Sequence, residues 1–129
     1  MAEMSNYLEN ALINATLRNT SYTSVATIYV ALYTADPTDA DLTANEVTGG
    51  SYARTSVTFA APSNGVSLNS ADVTFPTCTA GWGTVTHIGL RDASTAGNLL
   101  YHSPLDDSKS VGIGDVFKIT TGNLSVTLA

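Results

Sequence analysis

The stretch GWGTVTHIGLRDASTAGNLLYH, residues 81–102, decides which fold this sequence predicts. Two runs in it alternate apolar and polar residues, and a short polar segment with Gly and Asn separates them. A period of two is typical of β-strands, and Gly and Asn favour turns. The stretch therefore predicts a β-hairpin, with strands over 84–92 and 99–105 and a turn at 93–98.

The same stretch also contains residue types that are common in active sites. Strand alternation places His87 and Asp92 on opposite faces, so they do not form an acid–base pair. No nucleophile elbow of the GxSxG type surrounds Ser94 or Ser103. We therefore predict that the protein is not an enzyme. Trp82 is expected to pack at the start of the strand. His87 and His102 are expected to be half-exposed, with His102 opposite a residue near 84–86.

A single helix is predicted near the N-terminus, over about residues 6–18. Asn6 can cap its first turn, and Glu9 follows three residues later, as in a capping box. The apolar residues have the spacing of one helical face, which Ile13 and Leu17 are expected to widen. We expect this helix to pack on the sheet of its own chain, with docking on another protein as the alternative. The spaced apolar residues are Leu8, Ala11, Leu12 and Ala15.

The rest of the chain alternates with a period of two. A central strand is predicted over 27–34, with a long loop after it at 35–51 and another loop at 106–114. Shorter strands are predicted over 52–59, 66–76, 115–120 and 123–128. About seven or eight short strands with turn signals between them favour a mainly β fold. We predict one domain over 1–129, an antiparallel β-sandwich or barrel-like fold with one N-terminal α-helix.

Composition and charge exclude several kinds of partner. The formal net charge is −6, and the five Lys and Arg residues are scattered rather than clustered. We expect no nucleic-acid partner, because such partners bind basic patches. No apolar run is long enough to cross a bilayer, and the N-terminal residues do not resemble a secretory signal. Cys78 has no disulfide partner and is expected to be buried.

The loop after the central strand is acidic. Asp36, Asp39 and Asp41 are hard oxygen ligands at short spacing, but they lack the pattern of an EF-hand loop. We interpret this segment as a solvated loop, with a calcium site as the alternative. No metal or other cofactor is predicted.

Surface aromatic residues are a signal for assembly, because aromatics are enriched at protein interfaces. Tyr29 and Tyr33 alternate with the apolar residues of the central strand, so they lie on its other face. They form either a second buried layer or a contact surface. The candidate interface residues are Tyr7, Leu8, Tyr29, Tyr33, Asp36, Asp39, Tyr52 and Trp82.

Nearly the whole chain resembles a known family, most strongly in three segments: LYTADPT (32–38), GGSYAR (49–54) and WGTVTHIGLRDASTAGNLLY (82–101). In their order along the chain and in their residues, these segments resemble small virion structural proteins of tailed bacteriophages. Members of that family are labelled tail fibre proteins, and others are similar to capsid cement or decoration proteins. The resemblance implies a virion component made in the host cytoplasm, and it implies no set of catalytic residues.

Two functions follow from this resemblance. The first is a capsid cement protein on the outer surface of the head, where it binds the major capsid protein and copies of itself as a homotrimer. The N-terminal arm and the loop Ala35–Gly50 are then the expected contact segments. The second is a tail or tail-fibre component that attaches to a host glycan. Its sugar-stacking residues would be Tyr22, Tyr29, Tyr33, Tyr52 and Trp82.

Overall fold

The structure is a computed structural model that describes residues 2–128. In that range the chain forms nine β-strands, one α-helix and a short 3₁₀ turn at Thr43–Asn45. In chain order the elements are β1 (Glu3–Met4), α1 (Asn6–Leu17), β2 (Ile28–Tyr33), β3 (Thr55–Val57), β4 (Val66–Leu68), β5 (Val73–Thr74), β6 (Gly83–Arg91), β7 (Leu99–Val111), β8 (Lys118–Ile119) and β9 (Ser125–Thr127).

The largest sheet has five antiparallel strands in the order β1-β7-β6-β2-β3. The hairpin predicted from residues 81–102 is confirmed as β6 and β7, which pair from Arg91 and Leu99 onward. The predicted central strand is β2, which lies between β6 and β3. The strands predicted over 66–76, 115–120 and 123–128 are shorter, and they form two small ladders, β4 with β9 and β5 with β8.

The hydrophobic core lies between the five-stranded sheet and the two ladders. The sheet contributes alternate residues such as Val30 and Leu90, and the ladders contribute Val73 and Ile119. The packing of two antiparallel layers confirms the mainly β prediction, and within residues 2–128 the strands do not close into a barrel. Cys78 is buried in the same core, as predicted.

Four aromatic residues pack in this core. The rings of Tyr52 and Trp82 meet edge to face, with 5.5 Å between their centroids. Phe75 and Phe117 meet in the same way at 5.7 Å. Such pairs stabilise a core beyond the burial of their area. Trp82 is buried just before β6, so the prediction that it packs at the start of the strand is confirmed.

The opposite face of the sheet has a buried layer built around Tyr33. A Cβ atom at Gly89 would lie 2.8 Å from Cε1 of Tyr33 and 2.7 Å from Cδ1 of Leu99. Gly89 therefore leaves the space that the Tyr33 ring occupies. Both faces of β2 are buried as a result, which is why this strand contains so few polar residues.

The cap of helix α1 is Ser5 rather than Asn6. Oγ of Ser5 accepts a hydrogen bond from the backbone N–H of Leu8 at 3.2 Å and donates one to the carbonyl of Leu99. Asn6 is the first helical residue, and its N–H donates to the carbonyl of Asp39 at 2.9 Å. The helix therefore begins against β7 and the acidic loop, and it ends at Leu17.

Only one side of α1 faces the sheet. Leu8 is buried, and the helix contacts β1 and β7 of its own chain, as expected. Ile13 and Leu17 are 53% and 79% exposed, so the prediction that they widen the buried face is wrong. A helix turns about 100° per residue, which puts Ile13 about 140° away from Leu8.

Two further predictions about the hairpin are wrong. The loop predicted at 106–114 is strand as far as Val111, because the end of β7 pairs with the start of β6. The register shifts between Val85 and His87, where one residue of β6 faces four of β7, so the ladder is irregular there. His102 lies opposite Gly89 rather than near 84–86, because pairing begins immediately after the turn.

Candidate functional site

The last residue of β6, Arg91, forms a buried ion pair with the acidic loop. Its two terminal nitrogens donate to both carboxylate oxygens of Asp41, at 2.6 and 2.9 Å. The guanidinium also donates to Oη of Tyr33 at 3.1 Å. Burial would lower the pKa of Arg91, but the hydrogen bonds with Asp41 and Tyr33 outweigh it and raise the pKa. Arg91 is therefore charged at any physiological pH, and only 1% of its side chain is exposed.

A second ion pair joins the same loop to the segment before β3. Arg54 donates to both carboxylate oxygens of Glu46 at 2.8 Å, and Oη of Tyr52 donates to Oε2 of Glu46 at 2.7 Å. The same Tyr52 hydroxyl accepts the backbone N–H of Leu32 at 3.0 Å. Burial would raise the pKa of Glu46, but the hydrogen bonds from Arg54 and Tyr52 lower it overall.

Both guanidinium groups also hold the hairpin turn. Arg54 donates to the carbonyls of Ala93 and Ala96 at 3.0 and 2.8 Å, and Arg91 donates to that of Gly97 at 3.0 Å. Asp92 closes the turn by accepting the backbone N–H of Asn98 at 2.7 Å. The adjacent Arg91 and Asp92 thus bind different partners.

Sequence reasoning missed the role of Arg54, because its carboxylate partner belongs to no local motif.

His102 lies between two carboxylates. Its Nε2 is 2.6 Å from Oδ1 of Asp39, and its Nδ1 is 3.7 Å from Oδ1 of Asp36. The prediction of a half-exposed side chain is wrong for His102, which is 4% exposed. The acidic loop folds over this part of β7 and covers the imidazole. His87 is half-buried, as predicted, and its Nδ1 lies 2.8 Å from Oγ1 of Thr86.

The acidic loop is not simply solvated, which corrects the sequence interpretation. Asp36 accepts the backbone N–H of Thr38 at 2.8 Å, Asp39 binds His102, and Asp41 binds Arg91. Asp41 therefore has a partner apart from the other two, and the three carboxylates do not form one ligand set as a calcium site would require. Within residues 2–128, one set of possible metal ligands comes together: Glu3, Asp39 and His102.

The candidate interface residues are distributed between the surface and the interior. Tyr7 and the carboxylates of Asp36 and Asp39 are exposed or about half exposed. The side chains that are buried in the chain cannot contact a partner protein. A contact role for the others stays a prediction. Tyr29 and Tyr52 are half-buried, and Leu8, Tyr33 and Trp82 are buried.

Helix α1 presents an exposed surface that includes Ile13 and Leu17, which the sequence analysis placed on the buried face. Asn6, Asn10, Ile13 and Leu17 are all exposed and follow one another at spacings of four, three and four residues. We call this set the outer stripe of α1. A 4-3-4 spacing keeps side chains on one side of a helix and is the spacing with which helices pack against one another.

An open groove of about 660 Å³ runs between β7 and the segment 115–125. Its lining includes the charged residues Asp106, Lys109 and Lys118 and the buried ring of Phe117. None of the aromatic residues predicted to stack on sugars lines this groove. The groove is thus mainly polar, and it lies away from the two Arg–carboxylate pairs.

The fold and its ion pairs define a mainly β domain in which buried charges hold the loops against the largest sheet. No helix within residues 2–128 has the length and apolar character to span a membrane.

The family model described as podophage GP4 fiber I protein gp80 matches residues 3–127, and the chain belongs to this family. The resemblance to virion structural proteins of tailed phages is thereby confirmed, and the protein is a virion component of fibre type. No curated protein matches the chain.

Proposed function

We propose that this protein is a subunit of a tail fibre in a podophage virion. The observation that carries the proposal is the fibre family's match to residues 3–127, which include every strand and the helix. The capsid cement role predicted from the sequence has no counterpart in the family description. It is therefore the competing hypothesis rather than the preferred one.

A fibre subunit has to bind other virion proteins, and the outer stripe of α1 supports such a role. Leu17 is 79% exposed on a helix that carries one acid and no base between Asn6 and Leu17. Identical helices would bring two apolar and two amide side chains together with little charge repulsion. We propose that copies of this chain associate through the stripe, as a trimer if the sequence prediction holds.

Labelling of intact virions tests the location. Antibodies against the purified protein, detected by electron microscopy, should mark the tail region and leave the head unmarked. Even labelling of the head would overturn the fibre proposal in favour of the cement role. In that case, saturable binding to undecorated capsids and a rise in capsid Tm would follow, because a ligand of the assembled lattice stabilises it.

Attachment to a host glycan is a second proposed role, and the groove along β7 supports it. Its volume of about 660 Å³ lies within the range of small-ligand sites, and Asp106 and Lys109 offer hydrogen bonds to hydroxyl groups. Purified protein should bind host surface polysaccharide, and replacing Asp106 and Lys109 together with Ala should abolish that binding. Glu9→Gln on α1 removes a charge outside the groove, so it is the control and should bind the polysaccharide as the parent chain does.

We further propose that the protein has no catalytic activity. The chemistry-bearing side chains of residues 81–102 form hydrogen bonds within the chain, including those of Arg91, Asp92 and His102. Turnover of host polysaccharide by the purified protein, with loss of turnover on replacing His87 or His102, would contradict this proposal.

A further inference from the structure

Three potential metal ligands meet where the first strand, the acidic loop and β7 come together. One ligand atom from each of Glu3, Asp39 and His102 lies within 4.8 Å of the others. Glu3 is held there because it pairs directly with His102 in the β1–β7 ladder. Asp39 is held by its backbone carbonyl, which accepts the N–H of Asn6 at 2.9 Å. The backbone thus fixes the three positions independently of any ligand.

Charge at this position is unbalanced. Three carboxylates, those of Glu3, Asp36 and Asp39, surround one imidazole. Among residues 2–128, the Lys and Arg ion pairs involve other acids, namely Glu46, Asp41 and Asp72. Even a protonated His102 would leave an excess of negative charge beside a side chain that is 96% buried, given its 4% exposure. Such an excess favours binding of a cation.

The ligand atoms indicate which cation this cluster would bind. Ca²⁺ and Mg²⁺ prefer oxygen ligands alone, whereas one imidazole with two carboxylates suits a divalent transition metal. Zn²⁺ binds His nitrogen and carboxylate oxygen at about 2.0–2.2 Å. The carboxylates of Glu3 and Asp39 are on the solvent side, so rotation of their side chains can close the remaining distance.

We propose that Glu3, Asp39 and His102 form a Zn²⁺ site with three protein ligands. The metal would replace the direct contact between Nε2 of His102 and Asp39. It would join β1 to the acidic loop and to β7, and so fix the start of α1 on the sheet. The proposal does not depend on the location of the protein in the virion.

Isothermal titration calorimetry with ZnCl₂ tests this site. The full chain is prepared without a histidine tag, treated with a chelator and dialysed. One Zn²⁺ per chain should bind, and Glu3→Gln and Asp39→Asn should each weaken binding by at least about tenfold. Glu3 is exposed on a two-residue edge strand, so Glu3→Gln should fold normally. Asp107→Asn, an exposed acid on β7 outside the site, is the matched control and should bind Zn²⁺ as the parent chain does.

A thermal shift measurement provides a second readout. Zn²⁺ at about 100 times its Kd should raise Tm by about 5 °C or more in the parent chain, because the metal binds only the folded site. The same addition should leave Tm of Glu3→Gln almost unchanged. Absence of binding, tighter binding of Ca²⁺ than of Zn²⁺, or equal Zn²⁺ affinity in Glu3→Gln and the parent chain would overturn the proposal.

Discussion

At the scale of single residues, buried charge holds the hairpin and the acidic loop together. Arg91 is almost completely buried, and Asp41 is its one carboxylate partner among the described residues. An ion pair of this kind contributes little as a whole, since desolvation offsets its attraction. Removal of one partner is costly, however, because the other charge stays buried without compensation.

Asp41→Ala should therefore destabilise the protein by about 3 kcal/mol. The value is at the lower end for buried pairs because the Asp41 side chain is 25% exposed. Urea unfolding followed by fluorescence of Trp82 measures the change. Asp107→Ala is the control, and it should stay within about 0.5 kcal/mol of the parent chain. Equal stability of the two variants would show that the Arg91 pair does not hold the loop.

Gly89 is a second residue whose identity the packing requires. Gly89→Ala should destabilise the protein by about 1–3 kcal/mol, because the added Cβ would overlap the Tyr33 ring and Leu99. In Gly81→Ala the added Cβ meets no atom closer than 3.9 Å, so this control should be close to neutral. Thermal unfolding of both variants tests the difference, and a neutral Gly89→Ala would contradict the packing described for Tyr33.

The Glu46 carboxylate should make the stability of the protein depend on pH in the acidic range. Its pKa is lower in the folded chain than the ordinary value of 4.5, so the unfolded chain binds a proton more readily. The contribution of Glu46 is therefore complete above about pH 4.5 and is lost as the pH falls through the folded pKa. Unfolding free energies measured from pH 7 to pH 3 should decrease, and Glu46→Gln should reduce the slope. An unchanged slope would refute the role of Glu46.

At the scale of elements, α1 combines a docked side with an exposed one. The docked side is anchored by Ser5 and Leu8, and it orders the first turn against β7. The outer stripe has no partner within residues 2–128, since Ile13 and Leu17 are mostly exposed. A short helix gains most of its stability from packing, so association with other copies would also stabilise its last turns.

Replacement of Ile13 and Leu17 together with Ser should abolish self-association and leave the sheet folded. The change removes apolar surface from the outer stripe and none from the core. Sedimentation velocity should show an assembled parent chain and a monomeric variant. Ile113→Ser removes a side chain that is 78% exposed elsewhere, and it should assemble as the parent chain does. A monomeric parent chain would refute assembly through the stripe.

At the scale of the whole molecule, the core is separate from the N-terminal region. The core cluster draws its buried residues from Val30 onward, and neither β1 nor α1 contributes to it. The N-terminal region instead rests on the edge of the sheet through β7. The sheet and its ladders therefore form the scaffold, and the helix is an attachment on its edge.

Deletion of residues 1–18 should leave a folded, monomeric protein. The loss of the Ser5 hydrogen bonds and of buried Leu8 should cost about 3 kcal/mol, while the core packing is retained. Near-UV circular dichroism of the Trp82 environment should be preserved, and Tm should fall by about 10 °C. A truncated chain without a near-UV signal would show that the N-terminal region is part of the cooperative core.

Sequence reasoning reached the features that depend on neighbours along the chain. Alternation over 81–102 and 27–34 predicted the hairpin and the central strand, and apolar spacing predicted α1. These patterns are local because side chains of a strand repeat every two residues and those of a helix every 3.6. The resemblance of three segments to phage virion proteins was also contained in the sequence, and the family match confirms it.

The tertiary structure alone decided which polar groups meet. Arg91 and Asp41 are separated by 50 positions and His102 and Asp39 by 63, and no local pattern indicates either pair. Their contact follows from the path of the acidic loop across β6 and β7, which depends on the packing of the whole chain. The burial of His102 and the exposure of Leu17 were decided in the same way, because burial depends on what the rest of the chain covers.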